Sequence, residues 1–252
     1  TAKIQSGVRG YYDCYKKVVE ISMADIKKVY GFEYEKRWDY ENGFYLTSPS
    51  SRLAKSIAHW ELYKKIIDLP GDVLEFGVYK GTSLIRFATY REMLESQYSR
   101  KIIGFDTFGK FPLTDLEEDN KFIKDFSKNG DSISEEELRE VFKNKKFDNF
   151  ELYSGDILQT LPEYINENPA QKIALLHIDV DVYKPTKFIL DMLFEKIVKN
   201  GIIIFDDYGT VYGETKAVDE FISQQEKKYK LEKLPYYKIP TFIIKWSNRL
   251  VN

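Results

Sequence analysis

The chain has a single cysteine, Cys14, among 252 residues. One thiol cannot build an internal disulfide framework, and this usage fits a reducing cytoplasm, the compartment we expect. No apolar run approaches the ~20 residues of a membrane span. No amino-terminal signal segment is legible. Charge imbalance is also scarce: 38 basic residues face 40 acidic ones, a net charge of −2. A nucleic-acid partner would call for a basic surplus, so that class is excluded as an expectation. Internal repeats and low-complexity segments are missing. What is present is 43% hydrophobic residues, enough for one sizeable α/β core. The 19 tyrosines and 17 phenylalanines serve that core, with some left to line a pocket for a flat or sugar-like ligand.

Residues 172–209 organise the rest. Residues 173–178 are an apolar run too short for a helix, so they read as a buried strand. Pro185 sits in the first turn of a helix, where proline is tolerated. Phe188, Ile189, Met192, Leu193 and Val198 recur at helical spacing, and Asn200-Gly201 reads as the stop. Residues 202–205 form a second apolar run. Asp179 and Asp181 end the first strand; Asp206 and Asp207 end the second. A βαβ unit is parallel and right-handed, so these acids share one sheet edge. Clustered carboxylates repel, and a hard divalent cation with oxygen ligands relieves that repulsion.

Along the chain, residues 1–47 read as a lead-in. Helical spacing covers residues 11–30, and an aromatic, charged stretch without period follows, suited to a cap or subunit contact. Serines at 48, 50 and 51 predict capping of a helix that runs to about residue 68. His59 lies inside it and reads as structural. Residues 72–82 follow a strand, glycine turn, helix pattern with Gly77 and Gly81, which brings a ligand to a helix amino terminus. The spacing is G-x-x-x-G, not the full G-x-G-x-x-G, which argues against NAD or FAD. A second strand ends at Asp106, which reads equally as a ribose acceptor or as a turn aspartate. Residues 110–147 are dense in charge, with a capping pair Ser134 and Glu137. They read as a helical insertion forming a lid over the carboxyl edge. A third strand over 150–153 precedes Gly155 and Asp156, the latter near an adenine amine. Ala217, Val218, Phe221 and Ile222 mark the inner face of a later helix. Two short strands follow, with Pro235 and Pro240 at edges or loop boundaries.

The segments EFGVYKGTS, FDTFGKFP, GDILQTLP, HIDVDVYKPT and FDDYG, followed by AVDEF, resemble the macrocin O-methyltransferase (TylF-like) family over roughly residues 70–222. The resemblance implies a class I S-adenosylmethionine-dependent O-methyltransferase acting on sugar hydroxyls in natural products. It implies a three-layer α/β/α Rossmann-like fold with a mostly parallel seven-stranded sheet and an antiparallel terminal strand. The methyltransferase domain would span 48–252 with its lid at 110–147, behind a helical extension at 1–47. It further implies magnesium held by Asp179, Asp206 and Asp207, with Asp181 as general base. Glu75, Gly77 and Gly81 would line the methionine end of the cofactor, with Ser83 at the helix start. Asp106 would bind ribose and Asp156 lie near adenine. Tyr79, Thr82, Thr107, Phe108, Gly155 and Asp179 complete the implied cofactor set.

Two departures leave the acceptor open. Val180 stands where relatives often carry glycine, and Lys184-Pro185 where they often carry an acid and a small polar residue. The expected partner is a sugar, glycan or other small-molecule acceptor, and a homo-oligomer is expected. The D-x-D element alone would also suit a metal-dependent glycosyltransferase or a phosphatase, and a non-catalytic binding protein could retain the same fold.

Overall fold

The short apolar runs become strands because both faces of each are covered. The computed structural model describes residues 28–29, 31–226 and 229–246. The strands of its main sheet are β1 (Asp72–Phe76), β2 (Ile102–Asp106), β3 (Phe150–Ser154), β4 (Ile173–Ile178), β5 (Ile197–Phe205), β6 (Glu232–Lys233) and β7 (Thr241–Ile244). They form one sheet in the order β3-β2-β1-β4-β5-β7-β6. The first five run parallel, whereas β7 pairs antiparallel with both β5 and β6. The mostly parallel seven-stranded sheet is thus as expected.

The helices are α1 (Arg37–Thr47), α2 (Ser50–Tyr63), α3 (Thr82–Leu94), α4 (Glu117–Phe126), α5 (Glu135–Asn144), α6 (Ile157–Glu167), α7 (Tyr183–Leu193) and α8 (Tyr212–Gln224). Successive strand residues face opposite layers, as the period of two requires. Val73, Ile102, Leu175 and Ile202 pack beneath Leu62 of α2, Phe87 of α3 and Phe142 of α5. Their neighbours Leu74, Ile103, Leu176 and Ile203 pack against Leu161 of α6, Ile189 of α7 and Val218 of α8. The core is therefore two apolar slabs on either side of one sheet.

The chain moves outward from β1 through β2 to β3, then returns to place β4 on the other side of β1. That reversal opens a crevice beyond the carboxyl ends of β1 and β4, where open α/β sheets bind ligands. Gly77 makes the crevice possible. Its φ is +87°, and a Cβ there would overlap the carbonyl oxygen of Asp179. The Asp179 N–H meanwhile donates to the Phe76 carbonyl at 2.8 Å. The opposite edge is tied down by buried arginines. Arg91 donates to the carbonyls of Arg100, Asn149 and Asp148 at 2.6–2.9 Å. Arg100 meets Glu95 and the carbonyls of Ile66 and Gly71.

Several expectations are corrected. Val198 and Asn200 belong to β5, not to the preceding helix, which ends at Leu193 and passes through a single 3-10 turn. Asn200 has φ +65°. Its N–H donates to Lys245 at 2.7 Å, and the Lys245 N–H returns to Gly201 at 2.9 Å. The Asn-Gly pair is thus a left-handed kink inside a paired strand rather than a helix stop. The helix α2 ends short of residue 68, and Pro49 precedes it without a side-chain cap. The aperiodic stretch at 37–47 is helical yet buries no residue. The helical spacing read over residues 11–30 falls outside the described residues, except that Lys28–Val29 pair antiparallel with Phe32–Glu33. The insertion does contain two helices, and Ser134 caps α5 as expected, accepting from the Glu137 N–H at 3.2 Å.

Gly77→Ala is predicted to destabilise the fold by at least about 2 kcal/mol, since strain and overlap act together. A thermal melt checks this, and an unchanged midpoint would remove the constraint.

Candidate active site

The crevice is a cavity of about 560 Å³. One wall is the β1–α3 turn, which contributes Gly77, Tyr79, Thr82 and Ser83. Asp106, at the end of β2, shapes that turn. One of its oxygens accepts from the Val78 and Tyr79 N–H groups at 2.8 and 2.9 Å. The other accepts from the Phe108 N–H at 2.7 Å and from the Ser132 hydroxyl at 3.1 Å. Four bonds fill a carboxylate's usual capacity. These bonds steady Tyr79 and Phe108, whose φ values of 48° and 50° are uncommon for side chains of their size. Gly81 caps α3 in a left-handed conformation with φ +76°. Thr107, Gly155 and Asp156 line the next part of the wall. Asp156 also caps α6, accepting from the Leu158 N–H at 2.9 Å.

Three expected residues, Glu75, Gly81 and Phe108, do not line the cavity. Glu75 stands behind it, fully buried, and accepts from the lining Ser83 hydroxyl at 2.7 Å. Its second oxygen lies 3.3 Å from Nδ1 of His177 on β4. The His177 Nε2 is 3.4 Å from Asp206, and the His59 Nε2 is 3.5 Å from the same oxygen. Burial lowers the His177 pKa, but Asp206 and Glu75 outweigh it and raise the value to about 9. Burial drives His59 down to about 3, assisted by the charge on His177. His177 is therefore the cation of this buried pair, and His59 is neutral.

The acids converge as the βαβ geometry requires. Asp179, Asp181 and Asp207 each offer an oxygen, all within 4.8 Å of one another. Asp206 is not in this trio. It pairs instead with Lys55 of α2 and with the histidines. Burial pushes the Asp179 carboxyl up, and Asp206 adds to that rise. Burial likewise raises Asp181, with the Asp207 charge next in importance. Burial opposes ionisation of Asp206 too, but His177, His59 and Lys55 hold its carboxyl well below the ordinary range.

Local backbone geometry aims Asp181. Its φ is +63°, and the Val182 N–H reaches back to the Val180 carbonyl at 2.6 Å. That is the rare, strained form of γ-turn. The Glu214 N–H of α8 braces it by donating to the Asp181 carbonyl at 3.0 Å. The Glu214 side chain, fully buried, accepts from the Asp207 N–H at 2.9 Å. The insertion supplies Phe111, Phe122 and Phe126 to the cavity. Its Asp119 accepts from the Tyr183 N–H at 3.0 Å, which anchors α4 to the start of α7.

Sequence reasoning missed Lys55, His177 and Glu214 as parts of the site. Lys55 and His59 stand four apart on α2, so one helical face carries both, and that spacing was the available signal. His177 sits inside the HIDVD segment itself. No local pattern marks Glu214, which meets the site only through tertiary packing.

A parallel sheet with one reversed strand, a switch-point cavity and carboxylates at its edge describe a Rossmann-like methyltransferase fold. Residues 57–239 match the family described as Macrocin-O-methyltransferase (TylF), and the chain belongs to that family. It is 29% identical over 163 residues to the demethyldecarbamoylnovobiocin O-methyltransferase of Streptomyces niveus, across 61% of this chain and 59% of that protein. The chain therefore spans under two thirds of the length of that curated relative. The apo structure of CalS11, a TDP-rhamnose 3'-O-methyltransferase of calicheamicin biosynthesis, superposes with a TM-score of 0.62 at 28% identity. That match covers 84% of this chain and 87% of CalS11. The O-methyltransferase NovP shares the fold, with a TM-score of 0.66 at 23% identity over 76% of this chain and 79% of its own.

Asp106→Asn would put an amide NH2 against groups that all donate. It is predicted to cost about 1–3 kcal/mol of stability and to weaken S-adenosylhomocysteine binding. Melting curves with and without that ligand measure both effects.

Proposed function

We propose that the protein transfers a methyl group from S-adenosylmethionine to a hydroxyl of a sugar, free or within a natural product. The observation that carries this reading is the convergence of Asp179, Asp181 and Asp207 beside the glycine turn in one cavity. Family membership supports the cofactor, and CalS11 is by its own description a methyltransferase of a nucleotide-linked sugar, while the Streptomyces niveus relative methylates demethyldecarbamoylnovobiocin.

The β1–α3 turn would hold the methionine end of the cofactor. Its amino-terminal N–H groups suit a carboxylate, and Ser83, fixed by Glu75, lines the same wall. The cofactor, when bound, supplies the electrophilic methyl group. Asp181 is the base: burial and Asp207 raise its proton affinity, so it can take the proton of the acceptor hydroxyl as the new C–O bond forms. The strained γ-turn fixes the direction in which the Asp181 side chain leaves the backbone.

The acid trio also fits a divalent ion. Oxygen donors within 4.8 Å of one another, two of them (Asp179 and Asp181) raised in pKa by burial and neighbouring charge, are a hard-cation donor set. Magnesium or a similar ion there would polarise the acceptor oxygen. Asp179 and Asp207 are the ligands common to this trio and to the set implied by the resemblance. Asp206 would join them only by giving up Lys55. The insertion would act as a lid, since its aromatic residues roof the cavity. The glycosyltransferase, phosphatase and non-catalytic readings have no observation in their favour.

Asp181→Asn is predicted to lower kcat by ~10²–10⁴-fold while leaving S-adenosylhomocysteine affinity unchanged. Kinetics with parallel calorimetry tests this, and normal turnover would remove Asp181 from its role. Asp207→Asn is predicted to weaken Mn²⁺ binding more than Asp206→Asn does, because Asp206 is occupied by Lys55. The reverse order, measured by titration of Mn²⁺ into the purified variants, would restore Asp206 as a primary ligand.

A further inference from the structure

Asp206 differs from the other acids of the cluster in how fully its oxygens are taken. Oδ1 faces two buried imidazoles, the His177 Nε2 at 3.4 Å and the His59 Nε2 at 3.5 Å. Oδ2 accepts from the Lys55 ammonium. The role of His59 follows from its other partner. A guanidinium has donors only, so the His59 Nδ1 accepts from the Arg86 Nη1 at 3.0 Å and carries no hydrogen. Neutral His59 therefore holds its proton on Nε2, toward Asp206. A protonated nitrogen is no metal ligand, so His59, His177 and Asp206 are a donor network round one carboxylate.

The two sides of Asp206 are unequal. His59 and His177 are fully buried and do not line the cavity, so Oδ1 is closed off from it. Lys55 does line the cavity, and its side chain is 22% exposed. Its ammonium ends a flexible four-carbon stem, so it can leave Oδ2 without moving the backbone of α2. The ammonium is also within electrostatic reach of the neighbouring acids. Burial opposes its charge, but Asp206, Asp179 and Asp207 outweigh that and raise its pKa. Those three acids are the set that the resemblance implies for magnesium. A singly charged group of the chain thus stands among the carboxylates that a divalent ion would take.

We infer that Lys55 is a built-in competitor of the divalent ion, holding the Asp206 oxygen that the ion would otherwise take. The inference rests on reading the acid cluster as a metal site, and it adds how loading of that site is regulated. Asp179, Asp181 and Asp207 offer the first oxygens. Oδ2 of Asp206 joins them only as Lys55 swings away, because two cations repel at one oxygen. The released ammonium enters the cavity rather than the protein interior, which spares it the cost of an unpaired buried charge. A doubly charged ion gains more than an ammonium from clustered carboxylates, whereas a monovalent ion has no such advantage. Without the divalent ion, Lys55 keeps Asp206 compensated.

Mn²⁺ titrated into the purified protein, with the free ion read by electron paramagnetic resonance, tests the exchange. Lys55→Met keeps the stem and removes the charge, and Lys55→Gln keeps a hydrogen-bond donor. Both are expected to bind Mn²⁺ about tenfold or more tighter than the wild type. Lys55→Arg, which retains the charge, is expected to show no gain. The gain is expected to shrink when Asp206→Asn accompanies Lys55→Met, because the contested oxygen is then gone. Equal affinity in the wild type, Lys55→Met and Lys55→Gln overturns the inference, as does a gain that persists in full without the Asp206 carboxylate. A second measurement needs no variant. Acetylation of Lys55 by acetic anhydride, followed by mass spectrometry, is expected to quicken severalfold when Mg²⁺ is added. An unchanged rate at saturating Mg²⁺ overturns the inference. If neither the wild type nor any variant binds Mn²⁺, the metal reading fails and takes the inference with it. Mn²⁺ binding that is indifferent to Lys55 removes the inference alone.

Discussion

Electrostatic repulsion among buried carboxylates is the constraint on which the site depends. Asp179, Asp181, Asp206, Asp207 and Glu214 gather where β4 and β5 end and α8 begins. Removing so many like charges from water is tolerable only with compensation. The chain supplies two cations of its own. Lys55 pairs with Asp206 from one side, and His177, held charged between Glu75 and Asp206, acts from beneath. The compensation is uneven. Environment thus pushes acids of similar chemistry in opposite directions, Asp206 toward its charged form and Asp179 and Asp181 toward holding a proton, as in other paired-carboxylate sites.

The same network joins the two halves of the cavity. Ser83, Glu75, His177 and Asp206 follow one another through hydrogen bonds and close charge contacts, from the glycine turn to the acid cluster. Each member lies in a different place: α3, β1, β4 and the turn that follows β5. The parallel register that aligns Glu75 with His177 sets the spacing of this chain. The sheet therefore positions the site through buried polar side chains as well as through its backbone edge.

Much of this was legible in the sequence. Continuous apolar runs announced the central strands because both faces are covered, and the acids that follow Ile178 and Phe205 announced the edge. Gly77 and Gly81 marked a turn where side chains cannot fit. The insertion was visible as a break in rhythm with a capping pair. The misreadings are also physical. Asn200-Gly201 carries a local helix-stop signal that pairing with β7 overrides. Asp106 reads equally as a ribose acceptor or a turn aspartate; that its oxygens accept from three backbone N–H groups and the Ser132 hydroxyl is visible only in three dimensions. The pairing of Asp206 with Lys55 spans 151 positions, a contact that counting charges in the sequence does not reveal.

The attachment of the insertion has a mechanical consequence. Asp119 pins α4 to the amide of Tyr183 beside the strained turn, so the front of the insertion is built into the frame. The segment near Ser132 is held by that hydroxyl on Asp106, by the Tyr79 hydroxyl and the Lys80 ammonium on the carbonyls of Asn129 and Asp131, by the Ile133 N–H on the Tyr79 carbonyl, and by the buried Ile133 side chain. The insertion is thus attached at both ends, and its rear attachment grips the same carboxylate that shapes the glycine turn.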